Sequence, residues 1–296
     1  MSQGSHDQAL LLMAHGSRDA DARAEYRRIH AALAERLAPV PVVFSVLEFP
    51  GEDGLPSIAE GWKRCLEAGA KRIVALPFFL FPAGHVREDL PTELSAAREA
   101  GGWAALDLLP PLGAANELLE ALETRAEDAA SAGLAGVTGT TAVILVGAGT
   151  SDPDANGDLC KSARLFWERS GDRYPLVEAA WVSLTRPTIP AMIERCVRLG
   201  ADRIVAVPYF LNTGVLLKRI DNRLAEAREA YPGLPISRGE HIGLHPSLLN
   251  LLERRARDGL TDRIATAGLV PVCSRPSCES VANGRVALLR ECAPVA

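Results

Sequence analysis

Three residues in the first half of this 296-residue chain have the types that handle a metal ion or a proton: His15, Glu48 and His85. Each stands near the end of a short apolar run. Leu10 to Ala14 stops at His15, followed at once by Gly16-Ser17-Arg18, and Val42 to Leu47 stops at Glu48. Arg72 to Leu80 leads into a loop, Phe81 to His85. Two imidazoles and a carboxylate suit a divalent transition metal with coordination positions left open. They suit a proton-transfer site as well, because imidazole changes charge near neutral pH. Singly, each residue has a plainer reading: a strand-end histidine that only makes a hydrogen bond, or a glutamate that caps a helix or pairs with Arg87. Together they point to metal or proton chemistry.

The elements that must hold them follow from apolar spacing. A short apolar run, a turn, and then Tyr26, Ile29, Leu33 and Leu37 at helical intervals read as a buried parallel strand feeding a helix. Further strands are expected over 42–48, 72–80 and, more weakly, 104–109. Helices are expected over 56–69, 87–100 and 116–130, and Ser131 to Thr141 reads as a linker. In open parallel sheets the carboxyl ends of the strands face the ligand crevice, so His15 belongs to a site and not to a core.

The pattern then restarts. Arg64-Cys65 and Arg72-Ile73-Val74-Ala75 recur as Arg195-Cys196 and Arg203-Ile204-Val205-Ala206, and Pro77-Phe78-Phe79-Leu80 as Pro208-Tyr209-Phe210-Leu211. Self-similarity over most of the chain means two copies of one fold. Strands alternating with helices make that fold α/β: two tandem flavodoxin-like domains with parallel sheets covered on both faces. The expected boundaries are 8–133, 142–262 and a cysteine-containing tail, 263–296. The copies also allow an internal comparison. Gly16 and Gly84 are kept as Gly149 and Gly214, whereas His15 becomes Ala148 and His85 becomes Val215. The turn is retained and the imidazole is lost, which reads as one active half and one scaffolding half.

A net charge of -5 without runs of Lys or Arg gives no electrostatic case for nucleic acid. No apolar stretch approaches the ~18 residues of a membrane span, and the polar N-terminus lacks a signal-peptide core, so the expected location is the cytoplasm. Cys65 and Cys196 fall at matching points of predicted helices and are expected to be buried. Gly147-Ala148-Gly149 suggests a dinucleotide loop, but a third glycine would fall at Asp152, and the repeat explains these glycines better.

The motifs resemble the class II, ATP-independent sirohydrochlorin chelatases, in their long, tandem form. The resemblance rests on His15-Gly16-Ser17-Arg18, Val46-Leu47-Glu48, Pro77-Phe78-Phe79-Leu80, Gly84-His85-Val86 and Asp89-Leu90-Pro91, and extends over about residues 8 to 260. It implies insertion of Fe2+ or Co2+ into sirohydrochlorin, for sirohaem or cobalamin, with no organic cofactor. His15, Glu48 and His85 match the metal-handling and catalytic positions. The substrate is a polycarboxylate, so Arg18, Arg87, Lys218 and Arg219 are expected to bind it, with Ser17 and Gly84 of the same motifs. A tetrapyrrole or metal carrier would use the same cleft, but a carrier needs no proton acceptor. Fused halves supply what a dimer of single units supplies, so a monomer is expected, without nucleic-acid or membrane partners. Some long members carry an iron–sulfur cluster on a cysteine motif. Here Cys273, Cys278 and Cys292 depart from Cys-x-x-Cys spacing and offer three ligands where four are usual, so a cluster would need a second chain. His241 and His245 resemble a His-Pro element of long members and leave two readings open, a lining of the substrate pocket or a second metal pair, the latter weaker because no acidic partner stands nearby in the sequence; His6 and His30 are expected at the terminus and the surface.

Overall fold

The computed structural model describes residues 7–133, 136 and 138–261. The first sheet has four parallel strands, β1 (Gln8–Ala14), β2 (Val42–Val46), β3 (Arg72–Pro77) and β4 (Ala105–Leu108), in the order β2-β1-β3-β4. The second sheet repeats this with β5 (Thr141–Gly147), β6 (Leu176–Trp181), β7 (Arg203–Pro208) and β8 (Ile236–Arg238), ordered β6-β5-β7-β8. Both central strands, β1 and β5, are uninterrupted apolar runs because both faces of each sheet are covered.

The helices are α1 (Ala20–Leu37), α2 (Ile58–Glu67), α3 (Leu90–Gly101), α4 (Asn116–Gly133), α5 (Pro153–Ser170), α6 (Ile189–Arg198), α7 (Val215–Ala230) and α8 (Pro246–Leu260). Local chemistry starts several of them. Ser57 and Glu60 form a reciprocal capping box on α2, and Asp152 accepts the free N–H groups of Asp154 and Ala155 at the start of α5. In the first core Leu11 and Met13 pack with Ile58, Trp62, Cys65 and Leu90. In the second, Ile144 and Val146 pack with Ile189, Met192, Cys196 and Ile220. Cys65 and Cys196 are therefore buried as expected, and burial pushes their thiols up to about 12 and about 11.

The described residues divide into two units that do not follow the repeats end to end. One contains the chain up to Gly16, His30–Leu112 and the part from Leu252 onward; the other contains Ser17–Ile29 and Gly113–Leu251. The last helix of each repeat has thus gone to the other sheet, which departs from the simple halves 8–133 and 142–262. In the first unit, Arg72 donates to the carbonyls of Gly259 (2.9 Å) and Leu260 (3.4 Å) at the end of α8. A Cβ at Gly259 would lie 2.7 Å from Val74, so the glycine lets α8 approach β3. In the second unit α4 packs on β7 and β8, with Ser237 Oγ donating to Ala129 O (2.8 Å) and Arg125 donating to the carbonyls of His241 and Ile242. Element ends also differ from expectation. Strand β3 stops at Pro77, not Leu80, and α4 runs to Gly133, into the expected linker. Among the described residues no helix is long and apolar enough to cross a membrane.

Candidate functional site

In the first unit β1 and β2 are neighbours, with Ala14 opposite Val46 as the last ladder pair. Beyond it the two chains stay together: Leu47 N–H donates to Ala14 O (2.9 Å) and Glu48 N–H to His15 O (2.7 Å). Gly16 makes this crossing feasible. Its φ is +98°, and a Cβ there would lie 1.9 Å from Glu48 O. The outcome is a histidine and a glutamate side by side at the carboxyl ends of adjacent strands. His15 Nδ1 is 3.9 Å from Glu48 Oε2, and the two side chains are 43% and 37% exposed. The His15 ring lies 6.3 Å from that of Phe79, tilted by 56°. A cation bound at about 2.1 Å from a nitrogen and an oxygen spans such a gap, and the partial exposure leaves room for exchange.

His85 is the first residue of a π-helical turn, His85–Asp89, that runs directly into α3. The end of the expected loop, Phe81 to His85, is therefore a helical start, while Phe81 to Ala83 remain outside any helix. Pro91 has no N–H to give to Arg87 O, which favours a departure from α-helical spacing here. Buried Val86 and Leu90 fix the turn against the core. The side chain of His85 lies outside the described residues. Among the described residues no three His, Cys, Asp or Glu side chains gather as a metal cluster.

The second copy keeps the backbone of the site. Ser183 N–H donates to Ala148 O (3.1 Å), and a Cβ at Gly149 (φ +85°) would lie 1.9 Å from Ser183 O. Ser183 is thus the counterpart of Glu48, which sequence comparison missed because β6 is offset by two more residues than β5; its hydroxyl donates to Ala148 O (2.9 Å). His, Glu and His have become Ala148, Ser183 and Val215.

The residues after Gly16 belong to the second unit, where three contacts fasten them. Arg23, buried, donates to the carbonyls of Ser17 (3.2 Å) and Arg18 (2.6 Å). Asp19 starts α1 by accepting from the N–H groups of Asp21 and Ala22, and Lys218 donates to its Oδ2 (3.2 Å). Burial opposes ionisation of Asp19, but these hydrogen bonds outweigh it and hold its carboxyl below the ordinary range. Glu25 accepts from Thr213 N–H (2.6 Å) and from His241 Nε2 (2.9 Å). Burial raises its pKa and the two donors lower it, with a net depression.

The substrate-binding candidates are dispersed over both units. Ser17 Oγ accepts from Asp19 N–H, and Gly84 and Arg87 are exposed around the His85 turn of the first unit. Arg18 and Arg219 are exposed, and Lys218 is engaged by Asp19. The roles of His241 and His245 were not legible beforehand: His241 braces Glu25, and His245 Nδ1 accepts from Ser247 N–H at the start of α8 (3.2 Å). His30 is a correction. Instead of standing free on the surface it is half-buried, with Nε2 2.9 Å from Val42 O and its ring against Phe44. Its counterpart is Ala163 and that of Phe44 is Ala179, and both line a cleft of about 400 Å³ along β6 between α5 and α6. That cleft contains none of the expected site residues. His6 and the cysteines at 273, 278 and 292 lie outside the described residues.

The CbiX family model matches the chain twice, over 9–129 and 142–259. The chain is 34% identical to a sirohydrochlorin cobaltochelatase of Priestia megaterium, covering 88% of this chain and 83% of that protein. It is 28% identical to a sirohydrochlorin ferrochelatase of Bacillus subtilis, covering 85% and 91%. The solved structure of SirB from Bacillus subtilis with Fe3+ superposes with a TM-score of 0.73 at 26% identity, over 87% of this chain and 97% of that one. With two copies of the matched unit and likeness along most of its length, this chain belongs to the CbiX family.

Proposed function

We propose that the chain is a sirohydrochlorin chelatase that inserts Fe2+ or Co2+ into the macrocycle without ATP. The observation that carries this is the His15–Glu48 pair, held at adjacent strand ends by Gly16 and the Glu48 N–H to His15 O hydrogen bond, in a chain resembling chelatases of both metals along most of its length. His15, Glu48 and His85 hold the incoming ion. Neutral imidazole and carboxylate are ligands that an ion leaves stepwise for the pyrrole nitrogens. Insertion of a dication releases the pyrrole N–H protons, which pass to His15, His85 or Glu48 and then to water. Ser17, Arg18, Gly84, Arg87, Lys218 and Arg219 address the carboxylates of the macrocycle. The enzyme works as a cytoplasmic monomer, without organic cofactor, nucleic acid or membrane.

The test is anaerobic insertion kinetics, followed by absorbance, for the wild type and for His15→Ala, Glu48→Gln and His85→Ala. Each substitution is expected to lower kcat about 100-fold or more, and sedimentation is expected to give one chain. If the wild type binds sirohydrochlorin but inserts neither metal faster than the spontaneous rate, the proposal fails and a carrier takes its place.

A further inference from the structure

The two copies treat one edge of their sheets differently. In the first, His30 of α1 and Phe44 of β2 stand against each other, ring centroids 6.1 Å apart and tilted by 39°. Strand β2 is an edge strand, and Pro41 O accepts from Leu10 N–H of β1, so the groups of Val42, one residue on, face outward. His30 Nε2 lies 2.9 Å from Val42 O, and since a carbonyl only accepts, that nitrogen carries the proton. An imidazole N–H thus caps an edge carbonyl, with a phenyl ring beside it.

The register that pairs Leu10 with Val42 pairs Val143 with Val177, so Val177 is the counterpart of Val42. There Ala163 and Ala179 stand for His30 and Phe44, and both rings are gone. Ala163 has no donor to offer Val177 O. Around this stripped floor the walls have grown: Ala34, Val46 and Gly61 correspond to Trp167, Trp181 and Met192. Exchange of large and small residues between neighbours is ordinary repacking and closes the space it opens. Here a cleft of about 400 Å³ stays open, within the range of small-molecule sites. Two arginines line it. Arg164 lies over the Trp167 ring (4.5 Å) and pairs with Glu168 (2.8 Å), and Arg195 faces Glu178 at 3.6 Å. Both are exposed, and such surface pairs hold an arginine weakly, so the mouth presents two cations against one lining carboxylate, Glu178.

We propose that this cleft binds a small planar heteroaromatic compound that carries a ring N–H and a carboxylate. The first copy states what the place accommodates, because there the chain fills it with its own ring N–H on the edge carbonyl and a flat ring alongside. In the second copy a free molecule of the same chemistry donates its ring N–H to Val177 O and lays its plane against the tryptophan-lined walls. Its carboxylate meets Arg164 or Arg195 at the mouth. All the lining residues belong to the second unit, and the inference stands apart from the chelatase reading.

Titration of the full chain with benzimidazole-5-carboxylate at neutral pH tests this, followed by calorimetry and, for weak binding, by NMR line broadening of the probe. The wild type is expected to bind one equivalent with a Kd of about 1 mM or lower, the reach of a ligand of this size. The N-methyl analogue lacks the N–H and plain benzimidazole lacks the carboxylate, and each is expected to bind about tenfold more weakly. Ala163→His combined with Ala179→Phe restores the filling of the first copy and is expected to abolish binding, with Tm held or raised because space is filled. Should that variant fail to fold, Trp167→Ala and Arg195→Gln, both at exposed side chains, carry the test, each expected to raise Kd about fivefold. Absence of saturable binding to the wild type, equal affinity for the N-methyl analogue, or a wild-type Kd in the filled variant or in both exposed-site variants overturns the inference. Metal insertion plays no part in these readouts, so this inference and the chelatase reading stand or fall separately.

Discussion

Replacing Gly16 by alanine tests the backbone crossing that brings His15 and Glu48 together. The new Cβ would lie 1.9 Å from Glu48 O, and relief to about 3.0 Å requires the strand ends to part by about 1 Å. The Glu48 N–H to His15 O bond, now 2.7 Å, breaks or stretches, at a cost of about 1 kcal/mol. The left-handed φ of +98° adds about 1–2 kcal/mol for a residue with a Cβ. The sum, about 2–3 kcal/mol, corresponds to a fall in Tm of roughly 4–10 °C. A displacement of about 1 Å between catalytic groups lowers kcat about 100-fold. Gly149→Ala is the matched control, because its Cβ would meet Ser183 O at the same 1.9 Å. It is expected to lose similar stability while kcat stays close to the wild type, since the second copy carries no metal-handling group. Insertion kinetics and thermal unfolding of both variants, below the lower Tm, decide the matter. Equal losses of kcat in the two variants, or an unaffected kcat in Gly16→Ala, would refute the reasoning.

Two further outcomes follow from contacts outside that crossing. Arg72 joins Asp107 (2.6 Å) to the carbonyls that end α8, so Arg72→Met is expected to destabilise the first unit by about 2–3 kcal/mol in urea unfolding; a loss below about 1 kcal/mol contradicts the role assigned to that helix end. The depressed pKa of Glu25 means that, below its ordinary 4.5, the unfolded chain takes up a proton that the folded chain still refuses. Its stabilising contribution is therefore complete above about pH 4.5 and is lost as pH falls through the folded pKa. Urea unfolding of wild type and Glu25→Gln should show a stability gap at pH 7 that closes on acidification through that window, and a gap independent of pH would show that the hydrogen bonds from Thr213 and His241 do not act through the charge.

Much of the architecture is local information, which is why the chain discloses it. The buried runs 10–14 and 142–146 are apolar throughout because they are central parallel strands. The recurrence of Arg72 to Ala75 as Arg203 to Ala206 marks two copies of one sheet, and the exchange of His15 for Ala148 marks where the copies differ. Non-local geometry decided the rest. An amphipathic helix states that it has an apolar face but not which sheet will receive it, so the placement of α8 beside β3 and of α4 beside β7 and β8 is decided by tertiary contacts, Gly259 against Val74 in the one case and Ser237 with Ala129 in the other. Pairing register, not sequence spacing, made Ser183 the partner of Glu48. The bracing of residues 17–25 by Arg23, Lys218 and His241 joins positions up to 216 residues apart, and no periodicity records such distances. The types of His15 and Glu48 belong to the sequence, whereas their approach to 3.9 Å belongs to two strands crossing over a glycine.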